Sequence, residues 1–286
     1  MQILAYAKIN LTLDLAGKRA DGYHLLRMVM QSVSLCDRLE LTTGKPGIRV
    51  TCSTPGVPCD RSNTAYRAAE LFFAQSGGTP DVEIQIEKNI PSQAGLGGGS
   101  ADAAAVLHGL NLLYRTGYSE ETLRGIGLRV GADVPFCLLG GTALAEGIGE
   151  ELTPLPGMPH CFLVICKPPV GVNTGEAYAK ADLFRVAGSR TDGMIAALEQ
   201  QNLAGVAAVL GNNFEQVVAL QEVEQIEAVM RSRGALGACM TGSGSAVFGI
   251  FTEKSAASAC KKQLEQEYRS VFLCEPVSVP CEVQSM

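Results

Sequence analysis

The chain has 286 residues and a net charge of −6, from 23 lysines and arginines against 29 aspartates and glutamates. That length allows two domains or one large one, and such a chain buries about three quarters of its unfolded surface without needing a disulfide or metal staple. The acidic balance argues against nucleic acid or an anionic membrane as partner, since both require a basic face.

Hydrophobic residues at 47% and charged residues at 18% fit a globular protein and exclude disordered and collagen-like classes. Glycine is in excess, with 32 among 286 residues against an average of ~7%. The excess is clustered, which points to tight backbone loops. The ten cysteines, spread from Cys36 to Cys281, read as free thiols of a reducing compartment. With no C-x-x-C pair and only three, scattered histidines, a zinc site is not expected. Seven residues before Lys8 are too few for a leader, and no apolar run approaches 18 residues, so a cytoplasmic placement is expected.

Taken in chain order, residues 2–7 and 9–15 read as short strands, followed by an Asp21-Gly22 turn and strands at 24–33 and 38–43. Asn63 opens a helix whose Ala65, Ala68, Ala69 and Phe72 fall at i, i+3, i+4, i+7. Val82, Ile84 and Ile86 alternate with charged and polar residues, as in a half-buried strand. A glycine-rich segment at 89–99 follows, and Ser100 is expected to cap a helix with the stripe Ala103, Val106, Leu107, Leu110. A helix at 119–130 leads to Gly131-Ala132-Asp133-Val134-Pro135-Phe136, expected to enter a proline-constrained strand. Pro154, Pro156, Gly157 and Pro159 divide the chain into 1–155 and 156–286. A strand at 161–166, helices up to Arg233, strands at 236–240 and 246–251, a helix at 253–268 and a strand at 271–277 complete the pattern. Their order, β, helices, β, β, α, β, fits a ferredoxin-like layout.

Three segments carry possible chemistry. In Pro91-Ser92-Gln93-Ala94-Gly95-Leu96-Gly97-Gly98-Gly99-Ser100, backbone N–H groups can approach an anion at the start of a helix, and phosphate is the obvious guest. The segment is neither a Walker A loop nor a dinucleotide fingerprint, because no Gly-Lys-Ser/Thr follows and Ser100 stands where that fingerprint has its last glycine. A plain helix-entry turn is the bland alternative. Asp133, framed by apolar residues, is a candidate general base, or an ordinary turn former. Lys8 interrupts an apolar stretch as an edge-strand lysine, or as a half-buried partner of a carboxylate.

Together these segments resemble the GHMP kinase superfamily of small-molecule kinases. Its central motif, Pro-x-x-x-Gly-Leu-Gly-Ser-Ser-Ala, is similar to Pro91 through Ala101, and Thr241-Gly242-Ser243-Gly244-Ser245 resembles its C-terminal glycine motif. Ala7-Lys8-Ile9-Asn10-Leu11, Arg19-Ala20-Asp21-Gly22-Tyr23-His24, the Gly-Leu-Gly-Gly-Gly-Ser loop and Gly131-Ala132-Asp133-Val134-Pro135-Phe136 resemble one branch, which phosphorylates a cytidine-diphosphate-linked methylerythritol.

The resemblance implies a two-domain α+β GHMP kinase fold. Its N-terminal domain would be ribosomal-protein-S5-domain-2-like, its C-terminal domain ferredoxin-like, and the active site would lie in the cleft between them. It implies ATP and Mg²⁺, with the γ-phosphoryl passing to the 2-hydroxyl of the erythritol unit in non-mevalonate isoprenoid precursor synthesis. Lys8 and Asp133 would be catalytic. Pro91, Ala94, Gly95, Leu96, Gly97, Gly98, Gly99 and Ser100 would bind ATP, with Asn63 and Lys88 at the nucleoside. Asn10, Tyr23, His24, Thr174, Tyr178, Thr241 and Gly242 would bind the substrate. Cytosine would lie between Tyr23 and Tyr178, with His24 at its edge. Metal ligands stay open, because Gly98 and Gly99 stand where the superfamily places serines. Small molecules are the implied partners, without nucleic acid or membrane, for a monomer or weak homodimer. The rivals are a mevalonate- or homoserine-type kinase, a non-catalytic nucleotide-sensing or RNA-binding module and a dinucleotide oxidoreductase.

Overall fold

The computed structural model describes residues 1–182 and 189–284. Strands β1 (Gln2–Lys18) and β2 (His24–Thr43) form one long antiparallel hairpin. The sequence reading had divided each into two shorter strands. Register shifts at Tyr6/Ala7, Asn10/Thr12 and Leu15/Gly17 carry the pairing across the irregular positions, as bulges do. The hairpin turns at Asp21-Gly22, where Gly22 takes a φ of 92°.

Strand β3 (Gly47–Cys52), absent from the sequence expectations, runs parallel to β4 (Asp81–Glu87), and the crossover between them is helix α1 (Thr64–Ser76). α1 starts where Asn63 accepts the Ala65 N–H and stops at Gly77 in the left-handed conformation. Helix α2 (Gly98–Leu113) is apolar nearly all round, and packs against α1, β1 and β2 as the central helix of this half. Helix α3 (Glu120–Leu128) is capped by Ser119.

The expected strand after Asp133 is instead helix α4 (Val134–Leu139), with Pro135 in its first turn, where a missing N–H costs nothing. Strands β5 (Thr142–Glu146) and β6 (Glu151–Pro154), also unanticipated, extend the sheet, β5 pairing with β2 and β6 with β5. The chain then leaves this sheet through the proline-rich segment.

The remaining elements are β7 (Phe162–Lys167), α5 (Thr174–Ala181), α6 (Thr191–Glu199), α7 (Leu203–Ala208), β8 (Gly211–Asn212), α8 (Asn213–Val218), α9 (Gln221–Ser232), β9 (Gly237–Met240), β10 (Val247–Phe251), α10 (Lys254–Leu264), β11 (Ser270–Cys274) and β12 (Cys281–Gln284). Residues 183–188, part of the expected helical stretch, lie outside the described residues. The second sheet is fully antiparallel in the order β11-β7-β10-β9, the ferredoxin-like arrangement that the element order implied.

The expected division at 155/156 is crossed twice. β8 pairs with β1 at Thr12 and Leu13, and β12 pairs with β1 from Gln2 to Ala5, so both return to the first sheet. An unpaired edge on a strand as long as β1 would expose many backbone groups, and the returning strands cover it. All ten cysteines are free. Among the described residues, no helix is long and apolar enough to cross a membrane.

Candidate active site

Between the stretches covered by β12 and β8, residues 6–11 of β1 keep an edge free for other partners. Two glycine loops dock there. Lys8 N–H donates to the Leu96 carbonyl at 3.0 Å, and Asn10 N–H donates to the Thr241 hydroxyl at 3.0 Å. A cavity of about 910 Å³ opens beside this junction, lined from both halves of the chain.

Lys8 and Asp133 meet on its wall. The Lys8 ammonium lies 3.3 Å from Asp133 Oδ2 and donates to Asn10 Oδ1 at 2.9 Å. Lys8 is 4% exposed, so it is not the solvated edge lysine of the bland reading. Asp133 precedes α4 but makes no side-chain capping bond, which leaves its carboxylate facing Lys8 and the cavity.

The first glycine loop is shaped by backbone contact. Gly95 has a φ of +74°, and a Cβ there would fall 2.1 Å from the Thr241 carbonyl oxygen. At Gly97 (φ +69°) a Cβ would lie 2.9 Å from Lys8 Cγ, so a side chain there would displace the Lys8 side chain. Ala94 and Leu96 are buried anchors of the loop. α2 begins with Gly97 as its cap residue, not Ser100 as the sequence suggested. Glycine offers no side chain to satisfy the first N–H groups, and the first turn carries no acid. These donors, backed by the helix dipole, are suited to an anion. Ser100 lies inside the first turn and lines the cavity.

Thr241, expected at the substrate, is fully buried and off the cavity wall. Its hydroxyl accepts from Asn10 N–H and reaches the Gly95 carbonyl at 3.3 Å, while Gly242 N–H donates to Asn10 Oδ1 at 3.0 Å. The Thr241 hydroxyl also lies 3.3 Å from Asn10 Oδ1, so it bolts the two loops to Asn10 and β1. Gly242 lines the cavity, and Thr174 does so beside Ser243, with hydroxyls 2.9 Å apart.

At the other end of the cavity Tyr23 is 60% exposed. Of the three residues expected around a cytosine, His24 stacks on Tyr178 at 4.8 Å and 28°. The edge of Phe214 packs 4.9 Å from the same tyrosine. Burial pushes the Tyr178 phenol up to about 12, so the ring stays neutral. His24 Nε2 is 2.8 Å from Asp182 Oδ1, and Lys18 Nζ donates to Asp182 Oδ2 at 2.7 Å. The Lys18 hydrogen bond holds the Asp182 carboxyl below its ordinary range.

Several expected ATP residues lie off the cavity wall. Pro91, Gly98 and Gly99 are not among the residues that line it. Asn63 is consumed by capping, with its amide donating to Pro58 O at 2.6 Å. Lys88, read as either a nucleoside contact or a solvated strand end, is buried between Asp37 and Asp102. Lys18, Asn173, Asp182 and Phe214 line the cavity but were missed. Asp182 lies four residues beyond Tyr178, a helical spacing that could have found it.

Residues 63–141 match the family described as GHMP kinases N terminal domain, and residues 194–270 match GHMP kinases C terminal. The chain is 46% identical over 277 residues to a 4-diphosphocytidyl-2-C-methyl-D-erythritol kinase of Caldicellulosiruptor saccharolyticus, covering 96% of each. It is 41% identical over 280 residues to one of Clostridium beijerinckii, covering 97% of this chain and 100% of that protein. A crystal structure of 4-(cytidine 5'-diphospho)-2C-methyl-D-erythritol kinase superposes with a TM-score of 0.82 at 34% identity, over 96% of this chain and 99% of that one. A homoserine kinase from Cytophaga hutchinsonii shares the fold, with a TM-score of 0.80 at 19% identity over 99% and 97% of the two chains. With both domain families matched in order and close relatives along nearly its whole length, the chain belongs to the GHMP kinases, in the branch of the 4-diphosphocytidyl-2-C-methyl-D-erythritol kinases.

Proposed function

We propose that the chain transfers the γ-phosphoryl group of ATP to the 2-hydroxyl of 4-diphosphocytidyl-2-C-methyl-D-erythritol, a step of non-mevalonate isoprenoid precursor synthesis. The Lys8–Asp133 pair beside the uncapped start of α2 carries this reading. An alcohol is a weak nucleophile at neutral pH. Asp133 takes its proton as the oxygen–phosphorus bond forms and the bond to the leaving ADP breaks. Lys8 stabilises the negative charge developing on the alcohol oxygen. Asn10 orients Lys8 through its 2.9 Å contact and ties it to the second glycine loop. The N–H groups at the start of α2 hold the phosphates in line with the alcohol.

Among the described residues no three His, Cys, Asp or Glu side chains converge on a common metal position. Magnesium commonly binds through substrate phosphates with only one or two protein ligands. The Ser100 hydroxyl and the Asp133 carboxylate are the cavity groups suited to face such an ion, which would neutralise phosphate charge. At the far end, Tyr23, His24 and Tyr178 supply aromatic faces and ring nitrogens for a cytosine, once His24 leaves the Tyr178 face. ATP and the cytidylated polyol are the partners in this reading, and a cytoplasmic site of action follows from those substrates.

The test is ATP consumption with 4-diphosphocytidyl-2-C-methyl-D-erythritol, with free methylerythritol, with homoserine and with mevalonate. Turnover is expected only with the first. Equal turnover with free methylerythritol would sink the cytosine pocket, and turnover with homoserine or mevalonate would reassign the substrate class.

A further inference from the structure

In the first glycine loop, the conformation of Gln93 is at odds with its side chain. Its φ is +52°, in the left-handed region. Gly95 and Gly97 take that region at +74° and +69° as glycines, without steric cost. A glutamine there crowds its Cβ against the backbone. The chain beyond it is pinned. The Ala94 carbonyl accepts the Ala246 N–H at 3.2 Å, and Gly95 is pressed against Thr241. A residue other than glycine held in this region points to a use for its side chain.

That side chain lines the cavity with Gly95, Val172 and Asn173. Its Oε1 lies 3.1 Å from where a Cβ of Gly171 would stand, in the segment between β7 and α5. Gly171 is not among the glycines of positive φ, so its missing Cβ is what makes room for the carboxamide. The segment is itself tied down, since the Val170 carbonyl accepts from Lys167 Nζ at 3.2 Å and from the Ser245 hydroxyl. A carboxamide is planar. With its oxygen on Gly171, its N–H groups are turned away from that segment.

We propose that Gln93 is a phosphate ligand of this cavity: seated on Gly171, its side-chain amide donates to a phosphate oxygen of the bound substrates and adds a side-chain donor to the backbone donors at the start of α2. This rests on the reading that the cavity holds ATP and the cytidylated polyol. Both carry a chain of phosphates, and an amide donor suits either one. The contact also spans the two halves of the chain, because Gln93 belongs to the first and Gly171 to the second. The strain at residue 93 is then the cost of placing a donor where a glycine would leave none.

The experiment is steady-state kinetics with ATP and 4-diphosphocytidyl-2-C-methyl-D-erythritol, alongside thermal melting, for the wild type, Gln93→Gly, Gln93→Glu and Gly171→Ala. Gln93→Gly relieves the backbone and removes the donor. Its melting temperature should hold or rise, while kcat/KM falls about tenfold, the effect of one hydrogen bond to a charged group. Gln93→Glu keeps the shape and the Gly171 contact but turns a carboxylate toward phosphates, so it should lose more than the glycine variant. Gly171→Ala should remove a smaller part of the same activity by shifting the carboxamide, and nothing further in a Gln93→Gly background. A rise in KM for ATP assigns the amide to the ATP phosphates, and a rise in KM for the cytidylated polyol assigns it to that diphosphate. A fall in kcat alone assigns it to the phosphoryl group in transfer. Wild-type kcat/KM for both substrates in Gln93→Gly and Gln93→Glu overturns the proposal. A Gln93→Gly protein that loses stability together with activity also overturns it, because the glutamine is then a structural strut. A wild type that does not phosphorylate the cytidylated polyol overturns it together with the proposed phosphoryl transfer, whereas normal wild-type turnover with unaffected variants overturns it alone.

Discussion

The two ends of the cavity are built on opposite principles. The end proposed for the nucleotide is made of backbone: Gly95 against the Thr241 carbonyl, Gly97 against Lys8, and bare N–H groups at the start of α2. The end proposed for the substrate is made of side chains on a half-open rim, with Tyr23 largely exposed and His24 resting on Tyr178. A backbone site leaves no room for a Cβ, so a change there disturbs geometry and chemistry together. A rim of side chains can be trimmed one group at a time. In the proposed reading, phosphates, shared by all substrates of this class, meet the rigid end, and the group that distinguishes the acceptor meets the adjustable one.

The largest effects are expected where the two ends meet. Asp133→Asn should lower kcat by about 10²–10⁴, or ~3–5 kcal/mol, with ATP affinity nearly unchanged. Lys8→Ala should behave similarly, and the double variant should be little worse than either single, because the pair acts as a unit. Steady-state kinetics with calorimetric ATP binding separates these outcomes, and near wild-type turnover in Asp133→Asn would remove it as the base.

Gly95→Ala tests the backbone end. A Cβ cannot coexist with the Thr241 carbonyl at 2.1 Å, and φ +74° adds strain of about 1–3 kcal/mol. Melting temperature and activity should fall together. A stable, active Gly95→Ala protein would show that the loops are not locked.

On the rim, Tyr178→Ala should raise KM for the cytidylated substrate roughly 5- to 150-fold, the ~1–3 kcal/mol of one base–aromatic stack, while KM for ATP barely moves. Equal changes in both constants would erase the contrast between the ends. The smallest effect belongs to Asn63→Ala. Loss of the cap should cost about 1 kcal/mol and lower the melting temperature by a few degrees without changing KM for ATP. A rise in KM for ATP without loss of stability would return Asn63 to the nucleoside.

The features legible in the sequence were those carried by neighbouring residues. The cap at Asn63, the alternation of Val82, Ile84 and Ile86, the clustered glycines from Gly95 to Gly99 and the ferredoxin-like element order each rest on local backbone preference or periodicity. The motifs, read by resemblance, also picked out Lys8 and Asp133, which the structure brings within 3.3 Å.

What the tertiary structure alone decided involves partners distant in the chain. The helix at Val134–Leu139 was misread because proline before an apolar run suits a first helical turn as well as a strand start. β12 could not be placed on β1 from its own residues, since strand pairing depends on which edge remains open. Thr241 became a bolt because Asn10 and Gly95 meet it. Lys88 became a buried cluster because Asp37, 51 residues before it, converges there with Asp102. Local propensity is encoded residue by residue, but a buried charge is defined by what surrounds it, and only folding brings those groups together.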